Sequence, residues 1–372
     1  MSRLRAICSL IKHFNSYTNS KTYYNGEALK SRLSITIDQL YYALRFGELE
    51  PFYFTYGFDR KSMTLKRILK EYITPYHKFQ KRIDYLNFHN PRYDKKHERL
   101  IGRTITADKF YFNIFLNHLG FPTPDVYIFI KDRHPLFVDK RFNINKNNSP
   151  EEQIKEFLKY DMDAFAKPSD GQLGNGIFAL RVTNGEIFID GKATDIDTVV
   201  NTLMSADYLV QERITQHPKM SKLCSSTINS IRLQTVMDKN GDVIPFGAIL
   251  RIAKEGSSVD NWAKGGIAVG IDTDNGTLKK IGIIKPEFGT SAYEHPNSHI
   301  KFEGYEIPYY KEAEKLAIEL HKRLYRCHSV GWDIAITENG PCFIEANGLW
   351  EISLIQAANG GLKHIEKYFY LS

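Results

Sequence analysis

Two stretches of this sequence carry residue types at spacings that can do chemistry. The first, Lys167-Pro-Ser-Asp-Gly-Gln-Leu-Gly-Asn-Gly-Ile177, sets Gly171, Gly174 and Gly176 in one short loop behind a lysine. Glycines let a backbone come close to a ligand and turn N–H groups toward phosphate oxygens. No GK[ST] ends the loop and no helical pattern follows at once, so it is neither a P-loop nor a dinucleotide fingerprint. Strand, glycine loop and strand have the form of a flap closing over a nucleotide. An ordinary flexible hairpin turn shares that composition; Lys167, a cation within reach of phosphates, favours the flap.

The second stretch is Gly331-Trp-Asp-Ile-Ala-Ile-Thr-Glu-Asn-Gly-Pro-Cys-Phe-Ile-Glu-Ala-Asn347. Its register follows from its turn. A two-residue Asn-Gly turn would pair Asp333 with Ala346 and mix charge with apolar side chains on both faces. A three-residue loop, Glu338-Asn339-Gly340, pairs Asp333 with Glu345, Ile334 with Ile344 and Ile336 with Cys342, leaving one face apolar. The other face then carries Asp333, Glu345 and, one step along, Asn347. Two carboxylates and an amide oxygen make a hard, all-oxygen site suited to Mg²⁺ shared with phosphates. Pairing of one carboxylate with an arginine, or its solvation, is the alternative.

These residues need elements to hold them. Ala164-Phe-Ala-Lys-Pro168 reads as a strand entering the glycine loop, and Val126–Ile130 as another short strand. Asn-Gly pairs at Asn184, Asn240, Asn275 and Asn339 each lie between apolar runs and predict four hairpins. A helix is expected from Thr106, ended by Gly120 and Pro122, and another from Ser149, with Pro150 and Glu152 completing a capping box, to about Tyr160. A third, Lys311 to about Arg326, bears Ala313, Leu316, Ala317, Leu320 and Leu324 on one stripe. Hairpins with interspersed helices argue for an α+β body, not a doubly wound parallel sheet.

Composition excludes other classes. The 372 residues are 42% hydrophobic and 25% charged, so the chain is neither disordered nor collagen-like. No long apolar run predicts a transmembrane helix, and the start lacks the pattern of a secretory signal. The four scattered cysteines form no CxxC pair, giving neither a zinc site nor a disulfide framework and a reduced, cytoplasmic protein as the expectation. The net charge of +7 is uneven: residues 1–100 hold 19 Lys+Arg against 9 Asp+Glu, and the remainder 31 against 34. The front is therefore basic, aromatic and mostly helical by periodicity. It would suit an acidic polymer or a membrane surface, or it is a solvated helical face.

Together these segments resemble the ATP-grasp superfamily, and most closely its sugar-transfer-associated branch, from about Phe54 to Leu362. The carriers are Asp108-Lys109 before a helix and Gly120-Phe-Pro-Thr-Pro124, the Ala166–Ile177 loop, Val210-Gln-Glu-Arg-Ile214, Ser226-Thr-Ile-Asn-Ser-Ile-Arg232, Val259-Asp-Asn-Trp-Ala-Lys-Gly-Gly-Ile267, Trp332-Asp333 and Glu345-Ala-Asn347. The resemblance implies two α+β lobes clasping ATP: a basic helical region at 1–100, an N-terminal lobe at 101–210 and a C-terminal lobe at 211–372. It implies that Lys109, Lys167 and the loop glycines hold phosphates, and that Gln211, Glu212 and Ile214 define the adenine and ribose pocket. Asp333, Glu345 and Asn347 would bind Mg²⁺. Arg232 and Arg251 would stabilise the transferring phosphoryl group, and Lys264 would contact the acceptor or acyl phosphate. Leu173, bulky among the glycines, departs from better-known ligases.

The function so implied is an ATP- and Mg²⁺-dependent carboxylate–amine ligase that passes through an acyl phosphate. Its partners would be an amine or amino acid and a carboxylate-bearing glycan of cell-surface polysaccharide, with no nucleic acid. Residues 1–100 would associate peripherally with the inner membrane face. A hydroxyl-phosphorylating kinase, a peptide-modifying ligase and a non-catalytic basic adaptor are the competing readings.

Overall fold

The structure, a computed structural model, describes residues 3–19, 23–24, 26–89, 105–169, 176–253, 262, 265–285, 288, 291–324 and 327–370. The basic front is helical as expected: α1 (Arg3–Lys12), α2 (Phe14–Thr18), α3 (Arg32–Phe46), α4 (Leu65–Glu71) and α5 (Tyr76–His89). Ser31 and Thr64 cap α3 and α4 by accepting from backbone N–H groups three residues on. Tyr53, Tyr56, Phe58 and Tyr72 bury their rings together between α3 and α4.

The N-terminal lobe follows with α6 (Lys109–Leu119), β1 (Val126–Lys131), β2 (His134–Phe137), α7 (Pro150–Phe157), β3 (Met162–Pro168), β4 (Phe178–Thr183), β5 (Glu186–Ile189), β6 (Lys192–Thr194), α8 (Ile196–Leu203) and β7 (Tyr208–Glu212). Its strands form one sheet in the order β2-β1-β7-β3-β4-β5-β6. Alternation decides its faces. Ile128, Ile130, Ala164, Ala166, Leu180 and Val210 turn one way onto Ile154, Phe157, Val199 and Leu203 of α7 and α8. Ser149 and Glu152 form the expected reciprocal capping box. The helix stops at Phe157, short of Tyr160.

The C-terminal lobe holds α9 (Pro218–Leu223), β8 (Ser230–Met237), β9 (Val243–Ile252), β10 (Ile267–Asp272), β11 (Thr277–Ile284), α10 (Tyr310–Arg323), β12 (Ser329–Thr337), β13 (Gly340–Asn347), α11 (Ile352–Asn359) and a 3-10 helix (Lys363–Phe369). The sheet runs β11-β10-β9-β8-β12-β13, antiparallel throughout. On one face Ala313, Ala317 and Leu320 of α10 pack on Leu233, Trp332 and Ile334. On the other, Ile352 and Ile355 of α11 join Ile249 and Ala268, together with Phe79, Ile83 and Leu86 of α5. All four expected hairpins form: β4–β5, β8–β9, β10–β11 and β12–β13.

Helix α5 is thus part of the C-terminal lobe's covering layer. Asn87 reaches the end of β13, donating to Gly348 O and accepting from Ser329 N, while Gln80 donates to Trp350 O at 2.9 Å. Gln356 of α11 closes a two-point clamp on Ile73, accepting its N–H at 2.8 Å and donating to its carbonyl at 3.1 Å.

Candidate active site

The β12–β13 hairpin brings Asp333 opposite Glu345, as the sequence predicts, but by another route. The turn is Glu338-Asn339, closed by Thr337 against Gly340, and a β-bulge between Asp333 and Ile334 absorbs one residue of β13. Ile334 therefore pairs with Phe343 rather than Ile344, and Ile336 with Pro341 rather than Cys342. The bulge lets Phe343 enter the core with Trp332 and Ala346 while Glu345 and Asn347 keep to the other face.

On that face the neighbouring strands continue a polar row. Glu345 faces Asp333, Asp333 faces Arg232 on β8, and Arg251 on β9 faces Ser230. Arg232 grips Asp333 with Nε on Oδ1 and with Nη2 on Oδ2 at 2.9 Å. Arg251 adds a contact to Oδ2 at 3.2 Å and donates to Ser230 Oγ at 2.7 Å. Asp333 is 4% exposed, and burial alone would raise its carboxyl; the Arg232 and Arg251 guanidiniums overcome that and hold it below the ordinary carboxylate range. Asn347 Nδ2 lies 3.5 Å from Oδ2.

The lysines come from two elements outside the C-terminal sheet: Lys167 from β3, and Lys109 from α6, whose Phe112 and Leu116 pack into the C-terminal lobe's core. Asp108 caps α6, accepting from Phe110 and Tyr111 N–H, and so fixes Lys109 at the helix start. Lys109 Nζ lies 3.8 Å from Glu345 Oε1. Lys167 is on the face of β3 opposite the N-lobe core and is buried. Burial lowers its ammonium to about 8, with Glu345 partly restoring it and Lys109 opposing it. Lys109, Lys167 and Glu345 are thereby brought together across the two lobes. Gln211 shares the Lys167 face, since it pairs with Phe165 while Leu209 pairs with Lys167. Gln211 is buried, Glu212 exposed and Ile214 partly buried just beyond the strand.

Gly171, Gly174 and Lys264 lie outside the described residues. Gly176 is described, at φ +72°, and a Cβ there would sit 3.0 Å from Pro168 and 3.2 Å from the Tyr208 hydroxyl. Tyr208 also donates to Gly176 O at 3.0 Å, so the far end of the glycine loop is fastened beside the strand that carries Lys167. Sequence reasoning did not find Ser230 or Gln234. Period-two alternation from Arg232 on β8 would have placed both on the site face. Gln234 lies against Gly331, whose Cβ would meet its Oε1 at 2.8 Å.

The donor set bears on a cation. Glu345 has a long contact to Lys109, and Asn347 carries an amide oxygen on the same face, which suits a hard divalent ion. Asp333 adjoins them with both oxygens already engaged by arginines. Among the described residues no group of three or more His, Cys, Asp or Glu side chains is placed to hold a metal ion.

The family described as sugar-transfer-associated ATP-grasp matches residues 87–367. No curated protein matches the sequence. Solved structures that are similar include N5-carboxyaminoimidazole ribonucleotide synthetase from Thermotoga maritima, at 12% identity and TM-score 0.36 over 72% of this chain and 48% of that one. D-alanine–D-alanine ligase from Helicobacter pylori matches at 12% identity and TM-score 0.40 over 71% of this chain and 60% of that one. The same enzyme from Bacillus anthracis, complexed with ATP, matches at 12% identity and TM-score 0.37 over 73% and 64%. The chain covers less than two thirds of the length of each of these structures. With the family match spanning most of the sequence and two antiparallel α+β lobes meeting at a row of lysines, arginines and carboxylates, the chain belongs to the sugar-transfer-associated ATP-grasp family.

Proposed function

We propose that this protein is an ATP- and Mg²⁺-dependent carboxylate–amine ligase that joins an amine or amino acid to a sugar carboxylate in cell-surface polysaccharide assembly. The observation that carries the reading is the meeting of Lys109 of α6 and Lys167 of β3 with Glu345, Asp333, Arg232 and Arg251 of the C-terminal sheet. Cations and an oxygen set brought to one place are what a polyphosphate with its divalent ion needs.

In this reading Lys109 and Lys167 hold the phosphates, and the Gly171–Gly176 loop covers them. Gln211, Glu212 and Ile214 border the base and ribose. Glu345, Asn347 and Asp333 would hold Mg²⁺, which supplies charge neutralisation on the phosphate oxygens. The donor carboxylate attacks the γ-phosphorus and the bond to ADP breaks. The amine then attacks the acyl carbon, phosphate leaves, and the nitrogen gives up a proton. Arg232 and Arg251 would stabilise the charge that grows on the moving phosphoryl group, and each such contact is worth about 3 kcal/mol in the transition state. Lys264 is assigned to the acceptor or acyl phosphate.

The test is ADP release from purified protein with ATP and Mg²⁺ across a panel of uronic-acid sugars and amino acids. ADP that appears only when both a carboxylate and an amine are present supports the proposal. ADP with a stable phosphoproduct and no amine requirement replaces it with a kinase. Turnover only with a peptide carboxylate moves the substrate class, and ATP binding with no turnover in any combination overturns the enzyme reading.

A further inference from the structure

The basic front divides into two parts. Helix α5 is stapled to the C-terminal lobe, whereas α1, α2 and α3 pack on one another and present an outer face. On α3 that face carries Leu33, Ile37, Leu40 and Leu44, at spacings of four, three and four residues, which is one continuous helical stripe. They are 71%, 57%, 38% and 50% exposed. On α1, Leu4 and Ile11, seven residues apart, form a second stripe, 73% and 71% exposed. The inner side of the pair is Ala6, Leu10 and Ala43. Arg32, at the start of α3, binds Asn15 and Thr18 of α2, so α1–α2 runs antiparallel to α3. In antiparallel helices a stripe displaced in the same rotational sense from the contact line emerges on the same side. The two stripes therefore make one apolar face.

Its charges are one-sided. Helices α1, α2 and α3 contain Arg3, Arg5, Lys12, Arg32 and Arg45, all exposed. Their single carboxylate, Asp38, is buried against Lys30 at 2.7 Å and also accepts from Tyr53. A second copy seated here would bring like charges together. An acidic polymer would engage the cations but leave the leucines and isoleucines in water. An apolar face on helices whose exposed charges are all cations fits an anionic bilayer surface, where the apolar side chains enter the headgroup boundary and the cations meet lipid phosphates. No helix among the described residues is long and apolar enough to cross a membrane.

We propose that α1 and α3 dock this protein on anionic membrane through Leu4, Ile11, Leu33, Ile37, Leu40 and Leu44, lying on the surface without spanning it. The docking is independent of the ligase reading, because none of these residues belongs to the nucleotide site. The experiment is co-sedimentation of the full chain with sucrose-loaded vesicles, either of phosphatidylcholine alone or with about a third of phosphatidylglycerol. Binding to the mixed vesicles, weakened by salt and weak on the neutral ones, is the expected result. Ile37→Asp with Leu40→Asp should lower the partition by about tenfold or more, and Lys12→Ser with Arg45→Ser by about tenfold, growing smaller as salt rises. Both double variants should retain the wild-type unfolding midpoint, since every side chain changed is exposed. Lack of binding, equal binding to neutral vesicles, or an apolar variant that folds and still binds would overturn the proposal. So would a dimer in equilibrium sedimentation that Ile37→Asp with Leu40→Asp dissolves.

Discussion

Asp333 and Arg232 stand directly opposite on adjacent strands and are joined by two contacts, one from Nε and one from Nη2. The pair is the centre of the polar row, with Arg251 and Asn347 at its sides. Removing one partner from a buried pair leaves an uncompensated charge, which costs about 3–5 kcal/mol. Arg251 shares the load here, so Arg232→Met should fall at the lower end, about 3 kcal/mol, and Asp333→Ala, which strands two guanidiniums, at the upper end. Urea unfolding at neutral pH measures both. Equal and negligible losses would show that the row is held by something other than these charges. Asp333→Asn keeps the shape, and under the proposed mechanism its turnover should drop by about 10²-fold or more.

Lys167 gives a pH signature. Its ammonium is lowered to about 8 from an ordinary 10.5, so in the free enzyme it loses its proton as pH rises through about 8. Under the proposed mechanism ATP binding uses that charge, so the dissociation constant for ATP should rise by up to about tenfold per pH unit above that value. Lys167→Ala should lose turnover with the fold intact, and its dissociation constant for ATP, already weak, should show no such rise. Stability has the opposite slope: the unfolded chain binds the extra proton between about 8 and 10.5, so unfolding free energy should increase with pH across that window. Parallel pH profiles of the ATP dissociation constant for wild type and variant would remove Lys167 from the phosphate site.

Glu345 separates chemistry from stability. Its contact with Lys109 is 3.8 Å long and partly exposed, and exposed pairs contribute about 0–1 kcal/mol. Glu345→Ala should therefore unfold within about 1 kcal/mol of wild type while turnover is abolished. Glu345→Gln keeps one oxygen and should leave measurable turnover with an Mg²⁺ requirement raised by about tenfold or more, in line with a ligand loss. A magnesium titration that is unchanged in Glu345→Gln would take Glu345 out of the metal set.

Much of this arrangement is legible in the sequence because it is local. The Asn-Gly turns mark the hairpins, and the Ser149–Glu152 capping box is complete within four residues. A three-residue loop gives the same pairing of Asp333 with Glu345 that the chain reaches by a two-residue turn and a bulge. Each device shifts the register by one, so their sum restores the same pair. What stayed hidden is non-local. Nothing in the run around Arg232 announces that β8 neighbours β12, a hundred residues away, so the arginine grip on Asp333 appeared only as an alternative. The clamp between Ile73 and Gln356 spans 283 residues, and neither site has a sequence signature.

That clamp yields the last prediction. Gln356 is fully buried, and its amide satisfies both backbone groups of Ile73, the residue that leads from α4 toward α5. Gln356→Leu fills the volume but offers no polar atom, so a buried N–H and a buried C=O lose their partners together. Each costs about 1–3 kcal/mol, and the variant should lose about 2–5 kcal/mol. Gln356→Glu retains an acceptor for Ile73 N–H but turns a carboxylate oxygen on Ile73 O, so it should be no better than leucine at neutral pH. Because α5 in turn holds the end of β13 through Asn87 and Gly348, loosening the clamp should also raise amide exchange at Ile73, along α5 and at Gly348. Exchange confined to Ile73 would mean that the front and the C-terminal lobe are joined elsewhere. Protection lost through α5 while β8 and β12 stay protected would show that Gln356 is the fastening point between them.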